Sequence, residues 1–259
     1  MEKMKVLCCN IRYFGADDGE NNWIHRKDIC AEVMLAQQPD IICVQEMWQQ
    51  QFADLAARLP GFASYGLMHA PTSRHPANCI FYRAERFDLV TAAGYWLSET
   101  PHIPGSKSWE SHGKRLANWL RLIDRQSGVE FRVINTHLDH MSAEARQQQA
   151  AVIGRESAAY PEAYPQILVG DMNCDRRHEP LAVFDRYGWV DTYETIHGAQ
   201  EAGCTFHNFL GPAYEANFGK IDWIFVKGDV QTVDAAIIKD HVNGRYPSDH
   251  YFVSAEVAF

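Results

Sequence analysis

The sequence predicts one α/β domain over residues 1–259, in which two mixed β-sheets pack face to face with helices outside, a four-layer α/β/β/α sandwich. Three observations predict this fold class. The length suits one large domain, and a hydrophobic content of 46% suits a sizeable core. Short apolar runs rich in branched residues alternate with longer helical segments. Several of these runs carry polar residues at one end.

Helices are predicted at four places, most of them bounded by a start or stop signal. Pro39 ends the first helix, and Pro60 stops the second. Ser142 can cap the third helix, where Glu144 suits the positive end of the helix dipole. The predicted helices cover residues 23–38, 52–59, 142–159 and 181–187.

Further apolar runs predict strands that carry no functional motif, at residues 62–67, 79–82, 87–95, 119–124 and 230–238. The segment 98–113 is rich in proline and glycine and shows no periodicity. Long loops in compact domains are often functional, so this segment is predicted to be a loop at the rim of the functional site.

Six short polar motifs adjoin apolar runs and carry the main functional signal. Polar residues follow the run in the first four motifs and precede it in the last two. If the last two strands run antiparallel to the others, all six motifs meet at one edge. In chain order the motifs are Asn10, Gln45-Glu46, Asn135-Thr136-His137, Gly170-Asp171-Met172-Asn173, Ile221-Asp222-Trp223 and Ser248-Asp249-His250.

These residue types suit the hydrolysis of a phosphate ester at a divalent metal ion. Carboxylates hold a hard cation, amides grip phosphate oxygens, and a histidine–aspartate pair handles protons or charge. One aspartate or asparagine at a strand end is usually a turn residue. The coincidence of six motifs favours the chemical interpretation.

Zinc is the competing metal, because the chain has seven cysteines and twelve histidines. However, the sequence contains no Cys-x-x-Cys pair. Cys8 and Cys9 would face opposite sides of a strand, and His137 and His140 would do so in an extended segment. The sequence therefore disfavours a zinc site.

The six motifs resemble those of the endonuclease/exonuclease/phosphatase superfamily, and the resemblance runs from Lys5 to about Val257. It implies the sandwich fold and a magnesium ion, with manganese as a substitute. Glu46 would be the principal metal ligand, with Asn10 beside it and Asp249 near the metal or its water shell. Magnesium keeps several waters, so few protein ligands suffice.

The resemblance also implies catalytic roles. Asp171 would orient or deprotonate the attacking water, and Asn173 would hold a phosphoryl oxygen. His250, polarised by Asp222, would contact the scissile phosphate. His137 would contact the phosphate from the other side and assist the leaving group. By residue type, either Asp171 or His250 can be the general base.

Substrate class is less well determined by the sequence. Trp48, Arg115 and His207 are predicted to bind substrate through stacking or phosphate contacts. The sequence around Asp222 lacks the patterns of inositol 5-phosphatases and abasic-site nucleases, and the outline is nearest to the deadenylase-like branch. A phosphodiesterase or nuclease acting on nucleic acid or a nucleotide-like diester is therefore the leading interpretation. The alternatives are a phosphomonoesterase for a small metabolite, a sphingomyelinase-like phosphodiesterase and a binding protein on an inactive nuclease fold.

Composition restricts the possible partners and the cellular compartment. The net charge of −9 argues against tight binding of duplex nucleic acid. No apolar run approaches the roughly 20 residues of a membrane-spanning helix. The odd number of cysteines and a first strand that begins almost at the start predict a cytoplasmic protein with reduced thiols. No feature indicates a protein partner.

Overall fold

The computed structural model describes residues 2–67, 77–199 and 203–259. These ranges contain twelve strands and five α-helices. The helices are α1 (Trp23–Ala36), α2 (Gln49–Arg58), α3 (Ala143–Ala158), α4 (Glu179–Arg186) and α5 (Thr192–His197). The strands are β1 (Lys3–Asn10), β2 (Ile41–Met47), β3 (Phe62–Tyr65), β4 (Ala77–Arg83), β5 (Phe87–Trp96), β6 (Leu116–Asp124), β7 (Glu130–His137), β8 (Gln166–Asp171), β9 (Val190–Asp191), β10 (Asp222–Lys227), β11 (Gln231–Ile238) and β12 (Phe252–Ala258).

These strands form two sheets whose order brings the polar motifs together. The first sheet has the order β11-β12-β1-β2-β4-β3, and the second has the order β5-β6-β7-β8-β10-β9. β1 is parallel to β2, and β7 is parallel to β8. β12 is antiparallel to β1, and β10 is antiparallel to β8. The predicted antiparallel return of the last two motif strands is therefore confirmed, and all six motifs lie at the same end of the sheets.

Three apolar clusters separate the layers. The inter-sheet core includes Val6, Cys43, Val133 and Val169, which point between the two sheets. A second cluster lies between the first sheet and helices α1 and α2, and a third lies between the second sheet and helices α3 and α4. The predicted four-layer sandwich is confirmed. Of the helices in the described ranges, none has the length and apolar character needed to cross a membrane.

The cysteines behave as structural thiols. Cys8 belongs to the inter-sheet core, whereas Cys9 belongs to the cluster under α1 and α2, so the two side chains face opposite ways as predicted. Burial raises the pKa of both thiols well above its ordinary value, which keeps them protonated. All seven cysteines are free. These thiols therefore suit packing and not metal binding.

Most predicted elements are present, with ends that differ by a few residues. Helix α2 begins at Gln49, earlier than predicted, because Gln51 Oε1 accepts the Trp48 N–H at 3.0 Å and caps the first turn. Ser142 caps α3 as predicted, since its side chain accepts the Ala145 N–H at 3.1 Å. The sequence did not predict α5, because six residues show too little periodicity.

Two buried amides tie the sheets together beside the motif end. Asn135 on β7 donates from Nδ2 to the carbonyls of Val44 and Cys79 in the other sheet, at 2.9 and 2.8 Å. Gln45 Nε2 donates back to Asn135 Oδ1 at 2.7 Å. Because buried amides without partners are costly, these bonds fix how the two sheets face each other. Gln45 and Asn135, two of the motif residues, therefore have a structural role.

Gly170 is predicted to be intolerant of alanine. It pairs with Thr136 across the parallel strands β7 and β8, and an added Cβ would overlap the Thr136 carbonyl oxygen and approach Thr136 Cγ2 at 3.0 Å. Overpacking of this kind typically costs about 1–3 kcal/mol, so Gly170→Ala should lower the free energy of unfolding by that amount in urea titrations. Gly113→Ala is the control, because its nearest neighbour would lie 4.0 Å away. Equal stability of both variants would contradict the packing argument.

Candidate active site

A pocket of about 640 Å³ opens at the end of the sandwich where the six motifs meet. Asn10 and Asp222 lie directly behind the pocket wall, each 1% exposed, and are hydrogen-bonded to residues that line it. The predicted catalytic and metal-binding residues in the lining itself are Glu46, His137, Asp171, Asn173, Asp249 and His250. The fold therefore brings all eight predicted catalytic and metal-binding residues into one place.

Asn10 joins carboxylates from the two sheets. Its Nδ2 donates to Glu46 Oε1 at 3.2 Å and to Asp171 Oδ2 at 2.9 Å. Its Oδ1 accepts the backbone N–H of Arg12 at 3.0 Å, which fixes the orientation of the amide. Asn10 thus sets the relative position of the Glu46 and Asp171 carboxylates.

Glu46 occupies a strained backbone position. Its φ of 62° lies in the left-handed region, where β2 departs from regular pairing with β4 between Val44 and Met47. Residues other than glycine adopt this conformation at a cost of order 1 kcal/mol, and such strain concentrates at functional sites. Glu46 Oε2 accepts the Tyr13 N–H at 3.1 Å. The irregularity aims the carboxylate into the pocket.

Asp171 ends β8 and is almost fully buried, at 1% exposure. Its Oδ1 accepts the Asn173 N–H at 2.8 Å, and its Oδ2 accepts from Asn10. Burial and the nearby charge of Asp222 raise the pKa of Asp171 above its ordinary value, and His250 partly offsets this. A raised pKa makes this carboxylate a better proton acceptor than an ordinary aspartate.

His250 and Asp222 form a buried pair. His250 Nδ1 lies 2.9 Å from Asp222 Oδ2, and the other ring nitrogen lies 4.0 Å from Asp171 Oδ2. Burial alone would lower the pKa of His250, but the carboxylates of Asp222, Asp249 and Asp171 outweigh it and raise the pKa well above its ordinary value. His250 is therefore a cation held by Asp222, with Nε2–H directed away from its partner.

His137 is neutral, in contrast to His250. Asn173 Nδ2 donates to the Leu138 carbonyl at 3.0 Å, which fixes the amide, and also donates to His137 Nε2 at 2.8 Å. His137 Nε2 is thus an acceptor, and its proton is on Nδ1. Burial lowers the pKa of His137 well below its ordinary value, and the positive charge of Arg115 lowers it further. Its 3.5 Å approach to Asp171 is consequently not an ion pair.

Asp249 lies at the edge of the site beside a cation. Asp249 Oδ1 accepts from the Ser248 hydroxyl at 3.1 Å, and Oδ2 lies 3.7 Å from Arg12 Nε. Arg12 is also held by both oxygens of Asp18, at 3.0 Å each. The charge of Asp249 is thus partly compensated.

The donor set around Glu46 fits a hard divalent cation. The hydrogen bonds to its two oxygens come from neutral donors, Asn10 Nδ2 and Tyr13 N, and no described cation forms an ion pair with it. A carboxylate without an ion-pair partner in a polar pocket suits magnesium. Asp171, Asp222 and His250 also place ligand-type atoms within 4.8 Å of one another. Within this triad His250 Nδ1 is already engaged by Asp222 Oδ2 at 2.9 Å, so we assign the triad to proton and phosphate chemistry.

The predicted substrate-binding residues divide between pocket and core. Trp48 and Arg115 line the pocket, as predicted from the sequence. His207 does not, because it is fully buried, accepts the Gly211 N–H on Nδ1 at 3.1 Å and stacks on Tyr251 with ring centroids 4.0 Å apart. His207 is therefore a packing residue and is left out of the proposed site.

Arg115 contributes positive charge to the pocket lining, together with Arg12 and Lys114. Its Nη2 donates to His140 Nδ1 at 3.0 Å, and its buried Nε lies 3.8 Å from Asp139 Oδ2 without a hydrogen-bond partner among the described residues. A guanidinium held in this way can accept an anion. Sequence reasoning did not single out Arg12 or Asp139, although each lies two residues beyond a predicted site residue.

Asp139 anchors the segment that carries Arg115. Its Oδ2 accepts from the Ser111 hydroxyl at 2.8 Å and the His112 N–H at 2.8 Å. Its Oδ1 accepts the N–H groups of Met141 and Ser142 at 2.9 and 2.8 Å. Although burial favours the neutral acid, these donors hold the pKa of Asp139 at about 2. The 98–113 segment lacks helix and strand, as predicted, and is tied to the site through this carboxylate.

Asp139→Asn should loosen the segment that carries Arg115. Both carboxylate oxygens accept N–H or O–H donors, so one side of an asparagine amide would face a donor instead of an acceptor. We expect KM for a phosphate ester to rise about tenfold with a smaller change in kcat, because uniform substrate binding is lost. Steady-state kinetics measure this, with the exposed Asp88→Asn as control. An unchanged KM would contradict the role of Asp139.

The chain matches a model of the Endonuclease/Exonuclease/phosphatase family over residues 7–250. Because this match covers nearly the whole chain, the protein belongs to that family. Members of the family hydrolyse phosphoester bonds, in agreement with the chemistry of the pocket. The fold and family predicted from the six motifs are confirmed.

Three similar proteins illustrate the family. An endonuclease/exonuclease/phosphatase from Bacteroides vulgatus is 29% identical, with a TM-score of 0.90, over 100% of this chain and 99% of that chain. A mannosyl-6-phosphatase from Bacteroides thetaiotaomicron is 28% identical, with a TM-score of 0.88, over 99% of this chain and 100% of that chain. Nocturnin from Drosophila melanogaster is 27% identical over 165 residues, 59% of this chain. That match spans only 24% of the Nocturnin chain.

Proposed function

We propose that this protein is a divalent-metal-dependent phosphoesterase whose preferred substrates are small phosphate monoesters. One observation carries the proposal. A single pocket combines the Glu46 carboxylate, which has no ion-pair partner among the described residues, with the buried Asp171 and the His250–Asp222 pair. Magnesium is the proposed ion, with manganese as a substitute, because the available ligands are hard oxygen donors.

The metal-binding side of the site is built around Glu46. Glu46 would hold the ion, with Asn10 and Asp249 beside it, and the bound ion would polarise a phosphoryl oxygen as a Lewis acid. Asn10 and the Tyr13 N–H already orient the Glu46 carboxylate. Oriented ligands of this kind raise metal affinity because less ordering is needed on binding.

Two protein groups carry the chemistry, a proton acceptor, Asp171, and a cation, His250. His250 is positively charged, so its Nε2–H suits donation to a phosphoryl oxygen, where negative charge develops in the transition state. Asp171, with its raised pKa, is the better candidate to take the proton of the attacking water. The sequence left Asp171 and His250 as alternatives for the general base, and we therefore assign that role to Asp171. Asn173 and neutral His137 would contact the phosphate from the opposite side.

Two observations favour a monoester. A phosphate monoester is a dianion, and the pocket lining offers the cationic side chains of Lys114, Arg115 and His250 to meet it, beside Arg12, which is paired with Asp18. The similarity to the mannosyl-6-phosphatase extends over the full length of both chains at 28% identity. Trp48 and Phe206 line the same pocket and could cover the apolar face of a small ring.

Hydrolysis of a phosphodiester in single-stranded nucleic acid is the second candidate. The observation that favours it is the stack of Tyr13 on Trp48, with ring centroids 5.8 Å apart, since such aromatic surfaces accept bases. The match to Nocturnin, although partial, points the same way. The net charge of −9 weighs against long nucleic acids.

A direct comparison of kcat/KM separates the two candidates. Purified protein with Mg²⁺ should release inorganic phosphate from sugar phosphates, and much less from a diester or from short single-stranded RNA and DNA. Chelator should abolish the activity, and His250→Asn serves as the inactive control. Efficient oligonucleotide cleavage without monoester hydrolysis would replace the first candidate by the second. Activity on neither class, from folded protein, would contradict the proposal.

A further inference from the structure

Arg26 is a fully buried arginine on α1 whose guanidinium bonds only to backbone carbonyls. Its Nη1 donates to the Ile11 carbonyl at 2.7 Å and to the Pro247 carbonyl at 2.8 Å. Its Nη2 donates to the Arg12 carbonyl at 3.1 Å, and its Nε donates to the Asn21 carbonyl at 2.8 Å. One side chain therefore holds three separate stretches of the chain.

This arrangement is energetically expensive. Burial lowers the pKa of Arg26, and within residues 2–67, 77–199 and 203–259 no carboxylate lies at ion-pair distance from it. A buried charge without a counter-ion is usually costly, even when it is hydrogen-bonded. The rings of Trp23 and Phe209 lie over the guanidinium, with the Cζ atom 5.2 and 5.5 Å from their centroids, and confine it. If this position served packing alone, an apolar side chain would fill it at a lower desolvation cost.

Three of the four carbonyls that Arg26 holds belong to the two loops that carry the site. Ile11 and Arg12 directly follow Asn10, and Pro247 directly precedes the Ser248-Asp249-His250 motif. The strands behind these loops, β1 and β12, are paired only as far as Cys8 and Val253. Beyond that point Arg26 Nη1 connects the backbones of the two loops, whose side chains also meet in the 3.7 Å ion pair of Arg12 with Asp249.

We propose that Arg26 is a positioning residue that fixes the separation between the Asn10 loop and the Asp249–His250 loop. The inference rests on the proposed function, because these loops hold the proposed metal-side and phosphate-side groups. Partners behind the ligands of a metal site commonly change metal affinity by about 10–100-fold when they are lost. Loss of the Arg26 bonds should therefore act on metal affinity and on kcat together.

Arg26→Lys is the main test, because lysine keeps the charge but cannot reach four carbonyls with a planar fork. We expect Mg²⁺ binding, measured by calorimetry, to weaken about tenfold or more. For a small phosphate monoester, kcat should fall about tenfold while KM stays within about twofold, the pattern of a transition-state effect. Phe209→Leu, which removes one confining ring, should act in the same direction but less strongly.

Arg83→Lys is the matched control, because Arg83 Nε also donates to a backbone carbonyl, that of Pro39, but away from the pocket. It should change neither Mg²⁺ affinity nor kcat. A folded Arg26→Lys variant with lowered Tm but wild-type Mg²⁺ affinity and kcat would overturn the proposal. If Arg26→Lys does not fold, Phe209→Leu decides by the same two readouts. Wild-type protein that binds Mg²⁺ but hydrolyses no phosphate ester would overturn the proposed function instead, and the affinity readout would still decide the role of Arg26.

Discussion

His250→Asn is expected to lower the turnover of a phosphate ester by about 10³-fold or more while the protein remains folded. The asparagine amide can still donate to Asp222 Oδ2, in place of His250 Nδ1, so the buried carboxylate keeps a partner. What disappears is the cationic Nε2–H that faces the pocket. Removing one preorganised donor costs about 10²–10³-fold, and the positive charge of His250 is lost with it, which sets the expected loss.

His250→Ala separates the two roles of this side chain. It should lose as much activity as His250→Asn, but it also leaves Asp222 Oδ2 without its donor. Because Asp222 Oδ1 is already buried without a donor among the described residues, the alanine variant should unfold more easily, by about 1–3 kcal/mol.

Single-turnover rates and urea titrations of both His250 variants measure these effects, with the exposed His102→Ala as control. Near-normal turnover of His250→Asn would remove this residue from the mechanism. Equal stability of the two variants would contradict the account of the buried pair.

Glu46→Gln is expected to raise the Mg²⁺ concentration needed for half-maximal activity by about tenfold or more. The amide keeps the size and one acceptor oxygen for Asn10 but removes the negative charge, and with it most of the attraction for a hard cation. The left-handed backbone of Glu46 is retained, and the fold should lose only the hydrogen bond from the Tyr13 N–H to Oε2, which is worth about 1 kcal/mol.

Titration of activity with Mg²⁺ and direct Mn²⁺ binding both measure the effect of Glu46→Gln. The exposed Glu85→Gln is a suitable control, because Glu85 lies in the turn between β4 and β5 and does not line the pocket. An unchanged metal dependence would exclude Glu46 as a ligand and would direct attention to the Asp171, Asp222 and His250 group.

The convergence of the site could be predicted from sequence because it follows from strand direction. Asn10, Glu46, His137 and Asp171 all end strands that are parallel to a neighbour, and the ends of parallel strands share an edge. Asp222 reaches the same end because β10 returns antiparallel, directly opposite Asp171. Short apolar runs and the order of the motifs are enough for this level of description.

Contacts made through the backbone could not be predicted. Arg26 acts on carbonyls, which have no sequence signature, and Asp139 acts on N–H groups of a loop without periodicity. The left-handed conformation of Glu46 depends on an irregularity between β2 and β4. His207 was predicted to bind substrate, yet its backbone N–H bonds to the Asp249 carbonyl at 2.8 Å and its ring is buried against Tyr251.

The most direct test of the account is phosphate release by chelator-stripped protein to which Mg²⁺ is returned. Wild-type protein should regain hydrolysis of small phosphate monoesters in proportion to bound Mg²⁺, whereas His250→Asn should bind Mg²⁺ and remain inactive. Hydrolysis that persists without metal, or that survives in His250→Asn, would contradict the assignment of the Glu46, Asp171 and His250 pocket as a metal-dependent phosphoesterase site.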